Sequence, residues 1–363
     1  MEIDPADLAH AVGHDVGEFV ITPIDPDLRF HSTTGGVFRV DWNEASLVIK
    51  VVRHGHDEDP GALWVSGATP DHRNYWKREW LAFDSGLLDS LPGQLRAPQT
   101  LLTTQPSPDE SWIWMEDVEG RHGATWPVGD YASVAFDLGT TQGAYAAGVE
   151  PLPTADWLSR DWLRGWVDAL ERHSHVVEDD AVWAAEPLQM LDFLRDRYAA
   201  IWARREELLT IVEAAPQCVV HCDFWPHNLI AADDGTTVAV DWSQVGIGAV
   251  GQDLDQLTLD SVWMQVLPDV DIEDIEAQVV PSYLAGLQAN GADVSADELD
   301  AWYAAAAAAH YGPMLTMYAM RLAEPGRTEA LERRHDRPIE AISADKARVV
   351  ERALTLGERV LGL

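Results

Sequence analysis

Residues 219–230 read VVHCDFWPHNLI, and the side chains in this stretch that carry chemistry decide what kind of protein the chain is. Two sets compete. With Cys218 just upstream, Cys218, His221, Cys222 and His227 offer thiol and imidazole ligands for a zinc knot. Asp223 and Asn228, five apart, offer oxygen-bearing groups instead. The β-branched Val219 and Val220 read as a short buried strand, in which Cys218 and His221, three apart, face opposite sides. That works against a tetrahedral knot, whose four ligands must converge. Bulky Phe224 and Trp225 with rigid Pro226 describe a shaped loop.

Downstream, AADDGTTVAVDW (231–242) supplies a turn through Asp234 and Gly235, then a β-branched strand that delivers Asp241. An aspartate, an asparagine five residues on and a strand-borne aspartate match the parts used in kinase phosphoryl transfer. The first takes or orients the acceptor hydroxyl, and the other two hold a metal against the phosphates. Oxygen donors of this kind suit Mg²⁺.

The other parts that such chemistry needs lie near the start of the chain. ASLVIKVV (45–52) is a compact β-branched run carrying Lys50, whose ammonium would reach the phosphates of ATP. In NYWKREWLAFDSGLLDSLPG (74–93), Trp76, Trp80, Phe83 and Leu87 fall at helical spacing, and Glu79 on that helix is the natural counter-ion of Lys50. STTGG (32–36) reads as a flexible turn between strands in FHSTTGGVFRVDW (30–42), with Gly35 and Gly36 letting backbone N–H groups approach phosphate. An ordinary hairpin would look the same. Residues 53–72 read as a polar loop, and LRAPQTLLTT (95–104) and SWIWMEDVEG (111–120) as two further strands.

Beyond Gly120 the pattern turns helical. Trp157, Trp162 and Trp166 share a helical face, 183–214 reads as one long helix, and 298–322 as helix with a break near Gly312 and Pro313. The expected fold is α+β and bilobal. A small N-terminal β-sheet lobe with one main helix (1–116) carries the nucleotide, and a larger, mostly helical lobe (117–363) carries the catalytic loop and the acceptor site. A hinge falls near 115–120.

At 363 residues the chain can bury a core in each of two lobes. Its net charge of -36, from 61 acidic and 25 basic residues, repels phosphate backbones and anionic lipid, so neither nucleic acid nor membrane is an expected partner. The same field either draws in a cationic substrate or serves solubility. The opening MEIDPADLAHAVGHD has no signal-peptide character and no later run is long enough to span a bilayer, which points to the cytoplasm. Cys218 and Cys222 stand too close together to staple distant parts of the fold. Only three lysines (Lys50, Lys77, Lys346) and four asparagines (Asn43, Asn74, Asn228, Asn290) occur, which marks each as worth a question.

VVHCDFWPHNLI followed by VAVDWSQVGIGAVGQDL resembles the aminoglycoside phosphotransferase and choline kinase superfamily, of protein-kinase-like fold, over almost the whole chain. The resemblance implies Asp223 as the catalytic base or hydroxyl-orienting group, Asn228 and Asp241 as Mg²⁺ ligands, and Lys50 as the phosphate lysine paired with Glu79. It further implies adenine lying against the backbone of Glu116 to Val118, His221 bracing the loop, and Asp253 anchoring it from the next helix. Cys222 stands where that family usually has glycine, and would be strained if φ there is positive. Trp242 replaces the phenylalanine of protein kinases.

The expected function is ATP-dependent phosphorylation of a hydroxyl on a small acceptor, cationic acceptors such as aminoglycosides, amino sugars and amino alcohols included. Trp225, Trp157, Trp162 and Trp263 are either core residues or surfaces on which an acceptor stacks. A non-catalytic nucleotide-binding regulator of kinase fold is the alternative, and a zinc-binding structural protein a third.

Overall fold

Alternation along the strand Ala45–Arg53 explains how the N-terminal part is built. In the computed structural model, which describes residues 2–24, 33–55 and 65–363, Leu47, Ile49 and Val51 point to one side of the sheet. There they meet Leu8, Val40, Trp42 and Trp114 in a small core. Val52 lies on the other side, in the main core, with Ala82 and Phe83 of the helix Arg78–Asp84. Lys50 shares the parity of Val52, so the strand period turns it toward that helix.

The strands are β1 (Val20–Pro23), β2 (Thr34–Trp42), β3 (Ala45–Arg53), β4 (Leu95–Arg96), β5 (Thr100–Ser107), β6 (Glu110–Glu116), β7 (Gly120–His122), β8 (Gln217–Val220), β9 (Leu229–Ala232), β10 (Thr237–Ala239) and β11 (Gly246–Ala249). The N-terminal sheet has the order β1-β2-β3-β6-β5 and is antiparallel throughout. A four-stranded sheet, β4-β10-β9-β7, and the pair β11-β8 frame the stretch first quoted. The rest is helical, with Tyr131–Ala146 packed on Ile272–Ala289 and Ala296–Tyr311 packed on Ile339–Leu361. Among the described residues no helix is long and apolar enough to cross a membrane.

Five local expectations change. The helix expected to carry Trp76, Trp80, Phe83 and Leu87 is only Arg78–Asp84, with Trp76 before its start and Leu87 beyond its end. Gly35 and Gly36 lie inside β2, across from Val51 and Val52, and the β2–β3 hairpin turns instead at Asn43, where φ is 49°. A Cβ on Gly35 would come within 2.8 Å of Val51 Cγ1, so this glycine is there for close packing at a bulge in the pairing. Ser32 and much of 53–72 lie outside the described residues. LRAPQTLLTT is divided, with Leu95–Arg96 joining β10 and Thr100–Ser107 joining β6, because Pro98 between them has no N–H for a ladder. The long helix across 183–214 is a series of short ones, Asp180–Trp183, Glu186–Gln189, Arg195–Trp202 and Arg205–Glu213. Pro187 in the first turn of the second favours a fresh start there. Trp157 precedes the helix Trp162–Glu171 and is not part of it. The break at Gly312 and Pro313, between Ala296–Tyr311 and Met314–Leu322, stands where the sequence puts it.

Candidate active site

The loop after β8 is held by a scaffold of buried side chains. Asp253 accepts the backbone N–H groups of His221 and Cys222, each at 2.9 Å, and the amide of Gln142 at 2.8 Å. Gln256 accepts the Phe224 N–H and donates to the Cys222 carbonyl, each at 2.7 Å. Tyr283 donates to Gln142 in turn. Within this cradle Cys222 has φ 60°, the left-handed conformation that a side chain resists.

His221 braces the loop. Its Nε2 bonds the Val240 carbonyl at 3.0 Å and its Nδ1 faces the Asp223 N–H at 3.2 Å, a pattern that needs the neutral ring with its proton on Nε2. Burial pulls its pKa down to about 4, which favours that form.

Asn228 donates its side-chain amide to Asp223 Oδ2 at 2.7 Å and to the Asp223 carbonyl at 2.9 Å. Burial, then the neighbouring Asp241 and Asp260 carboxylates, push the Asp223 carboxyl well above the usual range, against the Asn228 bond and Lys50.

Asp241 follows β10 with φ 60°. The turn that returns the chain to it is closed by Gly235 at φ 85° and by Asp234, which accepts the Thr236 N–H at 2.9 Å. Lys50 Nζ stands 2.8 Å from Asp241 Oδ1 and 2.6 Å from Glu79 Oε2. Glu79 also accepts the Trp242 N–H at 3.1 Å, so the helix Arg78–Asp84 is tied directly to the segment after β10. Burial, aided by Asp241 and opposed by Lys50, raises Glu79 to about 7.

The structure thus brings Lys50, Glu79 and Asp241 into direct contact, and joins Asp223 to Asn228. Glu116 ends β6; its N–H donates to the Gln99 carbonyl at 3.0 Å and its carboxylate pairs with Arg96 at 2.7 Å. Val118 lies two residues beyond, while Gly35 and Gly36 sit in β2 as described. The thiol and imidazole set does not converge. Cys218 Sγ faces the Gly248 carbonyl, Cys222 Sγ faces Gln252, His221 bonds Val240, and His227 stacks on Trp225 with centroids 4.4 Å apart. Both cysteines are free and buried. Trp162 stacks on Trp166 and Trp263 carries the Lys346 ammonium 4.0 Å over its ring, so both are engaged inside the fold.

Sequence reasoning missed Gln142, Gln256 and Arg78. The Arg78 guanidinium donates to the carbonyls of Arg73, His72, Trp157, Pro70 and Ser243 at 2.7–3.4 Å. Its only available signal is its place beside Glu79.

Residues 36–288 match the family described as "Phosphotransferase enzyme family". Among curated proteins none matches by sequence. Among solved structures, a spectinomycin phosphotransferase in complex with ADP and spectinomycin aligns with TM-score 0.55 at 13% identity, over 97% of this chain and 100% of that one. An amicoumacin kinase in complex with AMP-PNP and Ca²⁺ aligns with TM-score 0.53 at 12% identity, over 88% of this chain and 87% of its own. A choline kinase from Cryptosporidium parvum Iowa II gives 0.50 at 11%, over 95% and 88%. At these identities the likeness concerns the fold, which is α+β and protein-kinase-like.

Proposed function

The chain belongs to the phosphotransferase enzyme family, and from that premise we propose that it transfers the γ-phosphoryl group of Mg-ATP to a hydroxyl of a small molecule. One observation carries the reading: Lys50 meets both Glu79 and Asp241, while Asn228 bonds Asp223 on the loop beside them. The donor chemistry fits Mg²⁺, which takes oxygen ligands from one or two side chains and the rest from phosphate and water. Asn228 commits its amide nitrogen to Asp223, so the atom it can offer a cation is its oxygen, and Asp241 adds a carboxylate. When bound, the ion offsets charge on the phosphates.

In this reading Lys50 holds the α- and β-phosphates, with Glu79 fixing its position. Asp223 orients the acceptor hydroxyl and takes its proton, a task that a raised pKa favours. Adenine lies against the backbone from Glu116 to Val118, and Gly35 and Gly36 keep the start of β2 slim beside the phosphates. The division into a nucleotide lobe, 1–116, and a catalytic lobe, 117–363, belongs to the same proposal; the five strands of the N-terminal sheet all precede residue 117. Two free thiols and the supply of Mg-ATP favour a cytoplasmic setting, and the charge of -36 disfavours nucleic acid and anionic membranes as partners. Asp260, which lies within electrostatic reach of Asp223, is suited to an acceptor that carries an amine, as aminoglycosides, amino sugars and amino alcohols do.

The test is ADP release from Mg-ATP across a panel of hydroxylated metabolites and antibiotics. Turnover that disappears in Asp223→Ala supports the kinase. Tight Mg-ATP binding, with neither acceptor-dependent nor slow hydrolytic ADP release, would leave the non-catalytic regulator as the better reading.

A further inference from the structure

We infer, resting on the kinase reading above, that Arg96 is a positioning residue for the nucleotide. It holds the segment against which adenine lies in register with the hairpin that carries Asn228 and Asp241.

The half-buried guanidinium joins separate parts of the chain. Nη1 and Nη2 donate to the two carboxylate oxygens of Glu116 at 2.7 and 3.1 Å, and Nε donates to Thr236 Oγ1 at 3.0 Å. Asp234 Oδ2 stands 3.6 Å from Nη2. Glu116 closes β6 and also accepts the Gln99 N–H at 2.9 Å. Asp234 and Thr236 belong to the turn between β9 and β10, where Asp234 accepts both the N–H and the hydroxyl of Thr236. A forked, charge-assisted contact fixes direction as well as distance, which a lone surface ion pair does not.

The hairpin acts as a ruler between the two ends of the site. β9 begins directly after Asn228, β10 leads to Asp241, and the Val240 N–H donates to the Asn228 carbonyl at 2.8 Å. Both proposed metal ligands therefore stand at one end of the hairpin, and Asp234 and Thr236 at the other. The four residues of β9, at about 3.3 Å each, separate those ends by about 13 Å. Arg96 is itself paired to this hairpin, opposite Val238 in the parallel pair of β4 with β10.

Beyond Glu116 the chain stays on the same hairpin. The Asp233 N–H donates to the Glu119 carbonyl at 3.3 Å, and Gly120 pairs with Ala232. Asp117 is held from the other side, by Arg39 at 2.8 Å and Ser46 at 2.6 Å, both from the N-terminal sheet. The adenine segment is thus pinned between two sheets, and Arg96 is the side chain that fastens Glu116 to the ruler.

A nucleotide binds as two linked parts, a base and a metal polyphosphate. The gain from linking them depends on how well the two receptors are spaced for both at once. A residue that sets the spacing matters to the linked ligand and to neither part alone. A residue that merely props up one receptor weakens that part as well.

The test uses the full chain and three ligands, adenosine, Mg-tripolyphosphate and Mg-AMP-PNP, each measured by displacement of a fluorescent ATP analogue. Arg96→Gln should lower the affinity for Mg-AMP-PNP about tenfold, while adenosine and Mg-tripolyphosphate stay within about twofold and circular dichroism is unchanged. Glu116→Gln, which keeps an acceptor for the Gln99 N–H, should lose less. The double variant should lose no more than Arg96→Gln alone, because both act through one contact. Arg96→Lys, which can pair with Glu116 but has no fork to hold Thr236 as well, carries the same comparison if Arg96→Gln does not fold. Unchanged Mg-AMP-PNP affinity, an equal loss with either part alone, or additive losses in the double variant overturn the register and leave the kinase standing. Mg-tripolyphosphate binding the wild type as tightly as Mg-AMP-PNP does the same, since no base would then be held. Failure of the wild type to bind the analogue or Mg-AMP-PNP overturns the kinase reading and the register with it.

Discussion

Asp253 holds Cys222 by its backbone N–H at 2.9 Å, and Cys222 sits at φ 60°. The residue is therefore kept in a conformation that costs a side chain about 1–2 kcal/mol. Glycine would remove that cost while giving up the packing of the buried thiol; alanine would give up the sulfur and keep the strain. Cys222→Gly should be more stable than Cys222→Ala by about 1 kcal/mol. Urea denaturation of the two variants measures the difference, and alanine matching or exceeding glycine would count against a left-handed backbone there.

Removal of the Asp253 carboxylate leaves the His221 and Cys222 N–H groups without their acceptor and the Gln142 amide with the Val219 carbonyl at 3.2 Å alone. Each buried donor left unpaired costs about 1–3 kcal/mol, so Asp253→Ala should lose about 3 kcal/mol or more. Because the loop carries Asp223, turnover should fall further than stability explains. A denaturation midpoint equal to that of the wild type would show that the cradle does not depend on this carboxylate.

The carboxylates around Lys50 should separate by what they affect. Asp223→Ala is expected to lose about a thousandfold or more in kcat while Mg-ATP affinity stays within a few-fold. Asp241→Asn should weaken Mg-ATP binding itself, and Glu79→Gln, able to keep the Trp242 hydrogen bond, should weaken it less. Equilibrium nucleotide binding and single-turnover kinetics distinguish these outcomes; near-normal phosphoryl transfer in Asp223→Ala would remove it from the reaction.

Lys346, held near 7 chiefly by burial, makes stability depend on pH in a defined direction. Its folded pKa lies below the unfolded value of about 10.4, so between roughly 7 and 10 the unfolded chain binds the extra proton and this group makes stability rise with pH. Lys346→Met should flatten that rise and raise stability at pH 6, where the wild type buries a full charge. Arg321, Arg334, His335, Asp260 and Asp345 share its surroundings, so the comparison is between wild type and variant at each pH. An unchanged pH profile would mean that Lys346 keeps its charge throughout.

What could be read in the sequence was local or strictly ordered. β-branched residues around Lys50, helical spacing around Glu79 and the intervals joining Asp223, Asn228 and Asp241 reflect short-range geometry, and the pairing of Lys50 with Glu79 followed from them. Gln142, Gln256 and Tyr283 reach the loop from distant helices, and no spacing rule announces a partner set by packing. The segment 183–214 misled because an apolar pattern at helical period does not record where successive short helices change direction. The glycines at 35 and 36 misled similarly, since close contact within a strand and a turn ask for the same residue.

Arg78, next to Glu79 in sequence, spans carbonyls from residues 70–73, Trp157 and Ser243. In protein kinases the helix bearing the corresponding glutamate is a movable part, and its position is a point of control. Here the helix is riveted on one side through Arg78 and on the other through Glu79 to Trp242, so swinging it out would strand a buried guanidinium among unpaired carbonyls. Displacing this helix therefore carries the cost of leaving several buried polar groups unpaired, about 1–3 kcal/mol for each, a cost that favours the assembled arrangement of Lys50, Glu79 and Asp241 before any nucleotide arrives.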